Sequence, residues 1–250
     1  IPNRAIFKEM RNSHTYLKIY KRRVHLLIVI FVVALPFLFT FFLSPLTNAE
    51  TAVFLKNLGI SSLRLAAAYL ISLIAALFFA FLLLRGRWEN FFLPLFDVLQ
   101  SFPTFAILPL AVYFIGASNV TVISFLVFTV IWPILFAVAS SLKLARRDWE
   151  EAAKIYGAKG IKKIVYFTFP LSYPGIVTGS IVGLGEGWEA IIGSEIIIGM
   201  QNGLGQFFSA GAHSAMLTAF GVAALLLFIF SLNKLVLLPL LEKSHRLLSD

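Results

Sequence analysis

The chain has no cysteine and few charges. Without cysteine, disulfides, thiol catalysis and zinc-thiolate sites are excluded, and the redox state of the compartment is left open. Only 13 % of the 250 residues are Asp, Glu, Lys or Arg, against about 25 % in an ordinary soluble domain. That is too little charge to cover the surface of a 27.8 kDa chain. A soluble enzyme, a nucleic-acid-binding domain and a disordered chain are therefore excluded. No Gly-x-x-x-x-Gly-Lys-Ser/Thr phosphate loop occurs, nor do paired histidines at ligand spacing or a nucleophile elbow. What is abundant is apolar: 59 % hydrophobic residues and a mean hydropathy of +0.89. Much of this chain has lipid as its solvent.

A transmembrane helix needs about 20 apolar residues, and six segments qualify: Val24–Leu43, Leu58–Leu84, Phe91–Ile115, Val120–Ser141, Pro174–Ile198 and Ala215–Leu241. The first is long and lacks a small-residue cleavage site, so it reads as a retained helix rather than a signal peptide. The third is interrupted by Pro94, Pro103 and Pro109. The chain begins at Ile1 rather than Met, which leaves the true N-terminus open. An all-α integral membrane protein follows, divided into a basic segment 1–23, a transmembrane region 24–241 with a long loop at 142–173, and a tail 242–250.

The net charge of +9 (21 Lys and Arg, 12 Asp and Glu) orients the spans. Seven cations precede the first span, Arg85 and Arg87 follow the second, seven more follow the fourth, and Lys243 and Arg246 lie in the tail. The alternate loops carry only Lys56. The positive-inside rule then places both termini in the cytoplasm, so the charge signals a membrane face and not nucleic acid. Segment 1–23, with Tyr16, Ile19 and Tyr20 among its cations, reads either as an amphipathic helix on an anionic leaflet or as a solvated tail.

The loop at 142–173 contains a short helix with both ends specified. Asp148 is positioned as N-cap with Glu151 three residues on, a capping box, and Gly157 suits a left-handed C′ position. Two turns are marginal alone, so such a helix needs a surface to lean on, and Ala152 and Ala153 permit close approach. A second amphipathic stretch, Ile161–Phe169, is expected to stop at Pro170.

Glu151-Ala152-Ala153, Gly157 and Phe167-Thr168-Phe169-Pro170 stand at the spacing of the EAA signature, Phe replacing both Ile and Leu. In this the chain resembles the permease subunits of binding-protein-dependent ABC importers. Gln100-Ser101-Phe102-Pro103 through Gly116, and Gly183-Leu184-Gly185 with Trp188 and Glu195, resemble the nitrate/sulfonate/taurine-type subgroup. The resemblance covers about 91–212. It implies the type I importer fold and a bacterial inner-membrane location. It also implies a second permease copy, two cytoplasmic ATPase subunits that carry ATP and Mg, and an external solute-binding protein. Glu151, Ala152, Ala153, Gly157 and Pro170 would then form the coupling element for the ATPase. The cargo would be a small oxyanion, a sulfonate or a vitamin precursor.

Within the spans, Gly175, Gly179, Gly183 and Gly187 form a stripe that permits close helix packing, and Ala68, Ser72, Ala76 and Ala80 form another. The two stripes are expected to pack together or across a dimer. Glu186 and Glu189 lie three apart on one helical face in the most glycine-rich span, where a charge is costly. With Trp188, Gln100 and Ser101 they are assigned to a translocation path. Ionised, they would repel an anion and hold a cationic or zwitterionic group. Glu195 is assigned a structural hydrogen bond or ion pair, and Arg64 is expected to snorkel. Gln201–Gly205 reads as an exposed turn. The rival function is a proton- or cation-coupled carrier using Glu186 and Glu189.

Overall fold

The computed structural model describes residues 28–43, 45, 51–82, 88–144 and 147–249. Segment 1–23, the first residues of the first span, and Arg85, Arg87 and Arg146 lie outside them. Helices account for nearly all of the described residues. They are α1 (Ile28–Leu43), α2 (Thr51–Leu82), α3 (Glu89–Gln100), α4 (Thr104–Ile115), α5 (Asn119–Lys143), α6 (Arg147–Ile155) and α7 (Gly160–Lys163). A π-helical turn at Ile164–Thr168 leads into α8 (Phe169–Ile198), followed by α9 (Leu204–Ala210), α10 (Ala215–Leu232), a second π turn at Asn233–Leu237, and α11 (Leu238–Ser249). Helices α2, α5 and Ala215–Ser244 are each long and apolar enough to cross a bilayer, and the α3–α4 pair qualifies as a broken span.

Residue chemistry sets the element ends. Gly116 closes α4 at φ +87, and Ser118 then caps α5 by accepting from the Thr121 N–H at 3.3 Å. Ser214 caps α10 through the Leu217 N–H in the same way. Gly199, in the left-handed region at φ +72, ends α8 while the Met200 N–H bonds back to the Glu195 carbonyl at 2.9 Å. This is the wrapped C-terminal turn that glycine favours.

Helix α5 is the centre of the packing, with α2 on one side and α8 on the other. The two small-residue stripes therefore do not pack on each other. Each faces α5. A Cβ added at Gly179 would stand 2.6 Å from the Ile134 Cα, and one at Gly183 would stand 3.1 Å from the Val130 carbonyl oxygen. Gly175 lies against the Ala137 carbonyl, and Gly187 is pressed on Val130 and on Leu65 of α2. On the other side Ala68, Ser72, Ala76 and Ala80 are buried, and the Ser72 hydroxyl reaches the Val127 carbonyl of α5 at 3.3 Å. Lipid supplies little apolar drive between helices, so close backbone approach is what holds them together.

The third predicted span is broken by 84° between α3 and α4. Of its three prolines, only Pro103 marks the break. Pro94 and Pro109 lie inside α3 and α4. Pro103 forces the residue before it out of the helical region, and it is itself extended at ψ 100. Pro170 also departs from expectation: it does not stop a helix. It sits in the first turn of α8, directly after the π turn, and the helix continues through it. Residues 242–249 continue α11 as helix, so the predicted tail is helical up to Asp250, which lies outside the described residues.

Candidate functional site

Three polar or exposed features remain once the packing is accounted for. One is the face of α8 formed by Val182, Gly185, Glu186 and Glu189, all exposed. These residues point away from α5 because the opposite face carries the glycine stripe. Trp188 does not belong to this face. It is buried, its ring packed edge-on to Phe228 of α10 at 5.7 Å, so its assignment to a path beside the two glutamates is corrected. The helical turn that exposes Glu186 and Glu189 turns Trp188 inward. Its indole N–H has no hydrogen-bond partner. Trp188→Phe is therefore expected to cost far less than the ~3–5 kcal/mol of truncation to Ala, with transport per folded molecule unchanged; a transport loss without a stability loss would return Trp188 to the path.

Gln100 and Ser101 are exposed at the α3–α4 bend, the Ser101 hydroxyl donating to the Asp97 carbonyl at 2.7 Å. The bend is held next to α8 by Phe105, whose ring fills the space over Gly193 and packs on Phe125 at 5.1 Å. Gly193 follows Glu189 by one helical turn, about 6 Å along the axis. The exposed carboxylates and the bend thus lie alongside each other on the same side of α8.

The second feature is a buried polar knot. Glu195 is 0 % exposed and Arg64 6 %, so Arg64 does not snorkel: its Nη1 lies 2.5 Å from Glu195 Oε1. Each of its nitrogens makes a hydrogen bond. Nη1 donates to the Asn202 carbonyl at 2.9 Å, Nη2 to Asn202 Oδ1 at 2.7 Å, and Nε to Asn119 Oδ1 at 2.9 Å. Glu195 accepts further from the Ser61 hydroxyl at 2.9 Å and the Gly205 N–H at 2.8 Å. Ser61 accepts from the Leu204 N–H, and Asn57 from the Gly203 N–H. The turn at 201–205 is consequently exposed only at Gln201 and Asn202, while Gly203, Leu204 and Gly205 are buried. A Cβ at Gly203 would come within 2.5 Å of the Glu195 carboxylate, and Gly203 stands at φ +112. Only glycine meets both demands. In the sequence Arg64 and Glu195 stand 131 positions apart as two isolated charges, and nothing local links them.

The third feature is the loop between α5 and α8. Helix α6 spans Arg147–Ile155, with Asp148 at its N-terminal end. There its charge suits the helix dipole. Gly157 is left-handed at φ +72, with Tyr156 N–H to Ala152 O at 3.0 Å and Ala158 N–H to Ala153 O at 2.9 Å closing the helix. Glu151 and Ala152 are exposed, and Ala153 is half-buried. Large apolar side chains stand beside them in the open: Ile155 is 83 % and Tyr156 89 % exposed. Lys143, at the end of α5, pairs with Glu89 of α3 at 2.9 Å and ties the root of this loop to the broken span. No group of His, Asp or Glu among the described residues is arranged to hold a metal.

Residues 68–241 match the family described as binding-protein-dependent transport system inner membrane component. Among characterised proteins, the chain is 29 % identical to the bicarbonate transport system permease protein CmpB of Synechococcus elongatus, over 58 % of this chain and 52 % of that protein. It is 27 % identical to the nitrate import permease protein NrtB of Synechocystis, over 52 % and 47 %. It is also 27 % identical to the taurine transport system permease protein TauC of Escherichia coli, over 56 % and 52 %. The chain thus spans about half the length of the curated relatives it matches. The matched region runs from α2 to α11 and takes in the α5 packing, the α6 loop and the glutamate face of α8. This all-helical, multi-pass membrane protein belongs to the family of inner-membrane components of binding-protein-dependent transport systems.

Proposed function

We propose that the chain is the permease subunit of an ATP-driven importer, crossing the membrane six times with both termini in the cytoplasm. Two copies pair so that the exposed α8 faces, with Glu186 and Glu189, and the bends at Gln100 and Ser101 line a path between them. A separate ATPase carries ATP and Mg and docks on α6, and an external binding protein delivers the solute. The observation that carries this reading is the α6 loop. Its helix ends at Gly157 and presents Ile155 and Tyr156 almost fully exposed beside Glu151. A mixed apolar and charged surface of this kind is suited to a protein partner.

The relatives are named for nitrate, bicarbonate and taurine, which supports a small oxyanion or a sulfonate as cargo over a vitamin precursor. Of these, the paired carboxylates of α8 favour a solute that carries a positive group.

Purification in mild detergent tests the reading. An ATPase should accompany the chain in stoichiometric amount. Glu151→Arg, which inverts a charge on the exposed surface, and Gly157→Pro, which cannot adopt φ +72, should each abolish that association while leaving the chain in the membrane. Uptake that survives ATP depletion and follows the proton gradient would identify a carrier instead.

A further inference from the structure

The buried knot holds four consecutive residues of the turn after α8. Asn202 is gripped by Arg64 through both its carbonyl and its side chain, and the N–H groups of Gly203, Leu204 and Gly205 are taken by Asn57, Ser61 and Glu195. Three of these partners are on α2 and one is on α8. Asn119, at the start of α5, joins through Arg64 Nε. Every nitrogen of the Arg64 guanidinium and both oxygens of Glu195 are engaged. A buried pair satisfied in this way resists separation, because each charge left alone in a dry site is strongly unfavourable. An element that opened in every transport cycle would have to admit water here, and the pair is closed to it.

From Glu195 the same helix runs through Glu189 and Glu186 to Phe169, with its one internal proline, Pro174, close to that far end. The irregular backbone is at its far end, in the π turn Ile164–Thr168 that joins it to the α6 loop. Such turns interrupt the regular hydrogen-bond ladder and recur at functional sites.

We propose that Arg64 and Glu195 are positioning residues. Their ion pair latches residues 202–205 to α2, α5 and α8, so that a push on this turn moves the Glu186–Glu189 face as a rigid unit, and bending is confined to the other end of the helix, at Pro174 and the π turn. The proposal rests on the importer reading, which puts this turn on the outer side, where a binding protein delivers the solute. Gln201 and Gln206 give it an exposed, uncharged polar surface.

The test uses the chain with its co-purified ATPase in lipid nanodiscs. Because the chain has no cysteine, spin labels at Gln201→Cys and Val182→Cys, carried on one copy paired with an unlabelled copy, report the turn against α8 alone. Between the nucleotide-free state and the state trapped with ATP and vanadate, their separation is expected to stay the same. The amides of 203–205 should stay equally protected from hydrogen exchange. A label pair at Gln201→Cys and Ile155→Cys should change its separation. Movement of the first pair, or loss of protection on trapping, would overturn the latch.

Glu195→Gln should broaden the first distribution while ATP hydrolysis persists, and Arg64→Lys should restore less order than the native arginine. Should Glu195→Gln fail to assemble, Asn202→Ala leaves the ion pair in place. It should speed exchange at 203–205 by at least about tenfold, as loss of a hydrogen bond to a charged group predicts. Unchanged exchange in that variant also overturns the proposal. If no ATPase accompanies the chain, the importer reading fails, and the latch is still judged by exchange in the chain alone.

Discussion

Arg64→Met is expected to destabilise the fold by about 3–5 kcal/mol, the cost of leaving one charge of a buried pair without its partner. The substitution keeps most of the side-chain length, so the loss reports on charge and hydrogen bonds more than on volume. Glu195 would be left fully buried, with Ser61 and the Gly205 N–H as its remaining partners. Asn119 and Asn202 would each lose a donor. The double variant Arg64→Met/Glu195→Gln should recover a large part of the loss, because no uncompensated charge remains. Recovery should be incomplete, since Asn119 and Asn202 still lack their donor. Arg64→Lys should fall in between: one ammonium cannot span Asn119, Asn202 and Glu195 as the guanidinium fork does. Thermal unfolding in a single detergent, followed by the folded fraction on size exclusion, ranks the four proteins. A single Met variant as stable as the parent would show that the pair contributes nothing.

Gly179→Leu is the other large expected effect. Its Cβ alone would stand 2.6 Å from the Ile134 Cα and 2.8 Å from the Pro133 carbonyl oxygen. Both are backbone atoms that cannot swing aside. The α5–α8 seam must then widen along its length, losing the close contact that holds helices in lipid. Overpacking a fitted interior costs about 1–3 kcal/mol where side chains can yield, and here the obstacle is main chain, so the loss should reach or exceed the upper end. Even Gly179→Ala should be measurably destabilising. Gly185→Ala, on the open face of the same helix with nothing within 4 Å of the new Cβ, should leave the folded chain as stable as before. Comparable losses at the two positions would mean that the stripe is not a packing seam.

The helical architecture was legible because its cause is local. Runs of apolar residues long enough to span lipid and glycines at helix ends are written along the chain. Gly157 at φ +72 and Gly199 ending α8 are examples. The small-residue stripes were equally visible, yet their partner was not. A stripe states that something approaches closely without naming it, and α5, which receives both, carries no matching pattern of glycine or alanine. Trp188 was misread for a related reason. Between two glutamates in sequence, it lies about 100° from Glu189 and about 160° from Glu186 around the helix, so nearness in the chain put it on the wrong face. The pairing of Arg64 with Glu195 is long-range and depends on depth in the membrane. Composition shows two isolated charges, and only the fold brings them within bonding distance. At the third span the kink at Pro103, beside Gln100 and Ser101, was legible, and the chain bends there by 84°.

The latch also has a consequence for how the chain is made. Arg64 and Glu195 are separated by 131 positions, and synthesis proceeds at about 5–20 residues per second, so the arginine enters the bilayer roughly 7–26 s before its carboxylate exists. During that interval α2 carries a cation with no partner, at an insertion cost of up to about 3 kcal/mol at the bilayer centre. Arg64 stands well inside α2, which begins at Thr51, so until then its charge must be met by water drawn into the bilayer or by local thinning. Arrival of α8 and the turn after it then supplies its partners. The order of synthesis thus makes burial of this charge wait on α8 and the turn after it, with α10 and α11 still to follow.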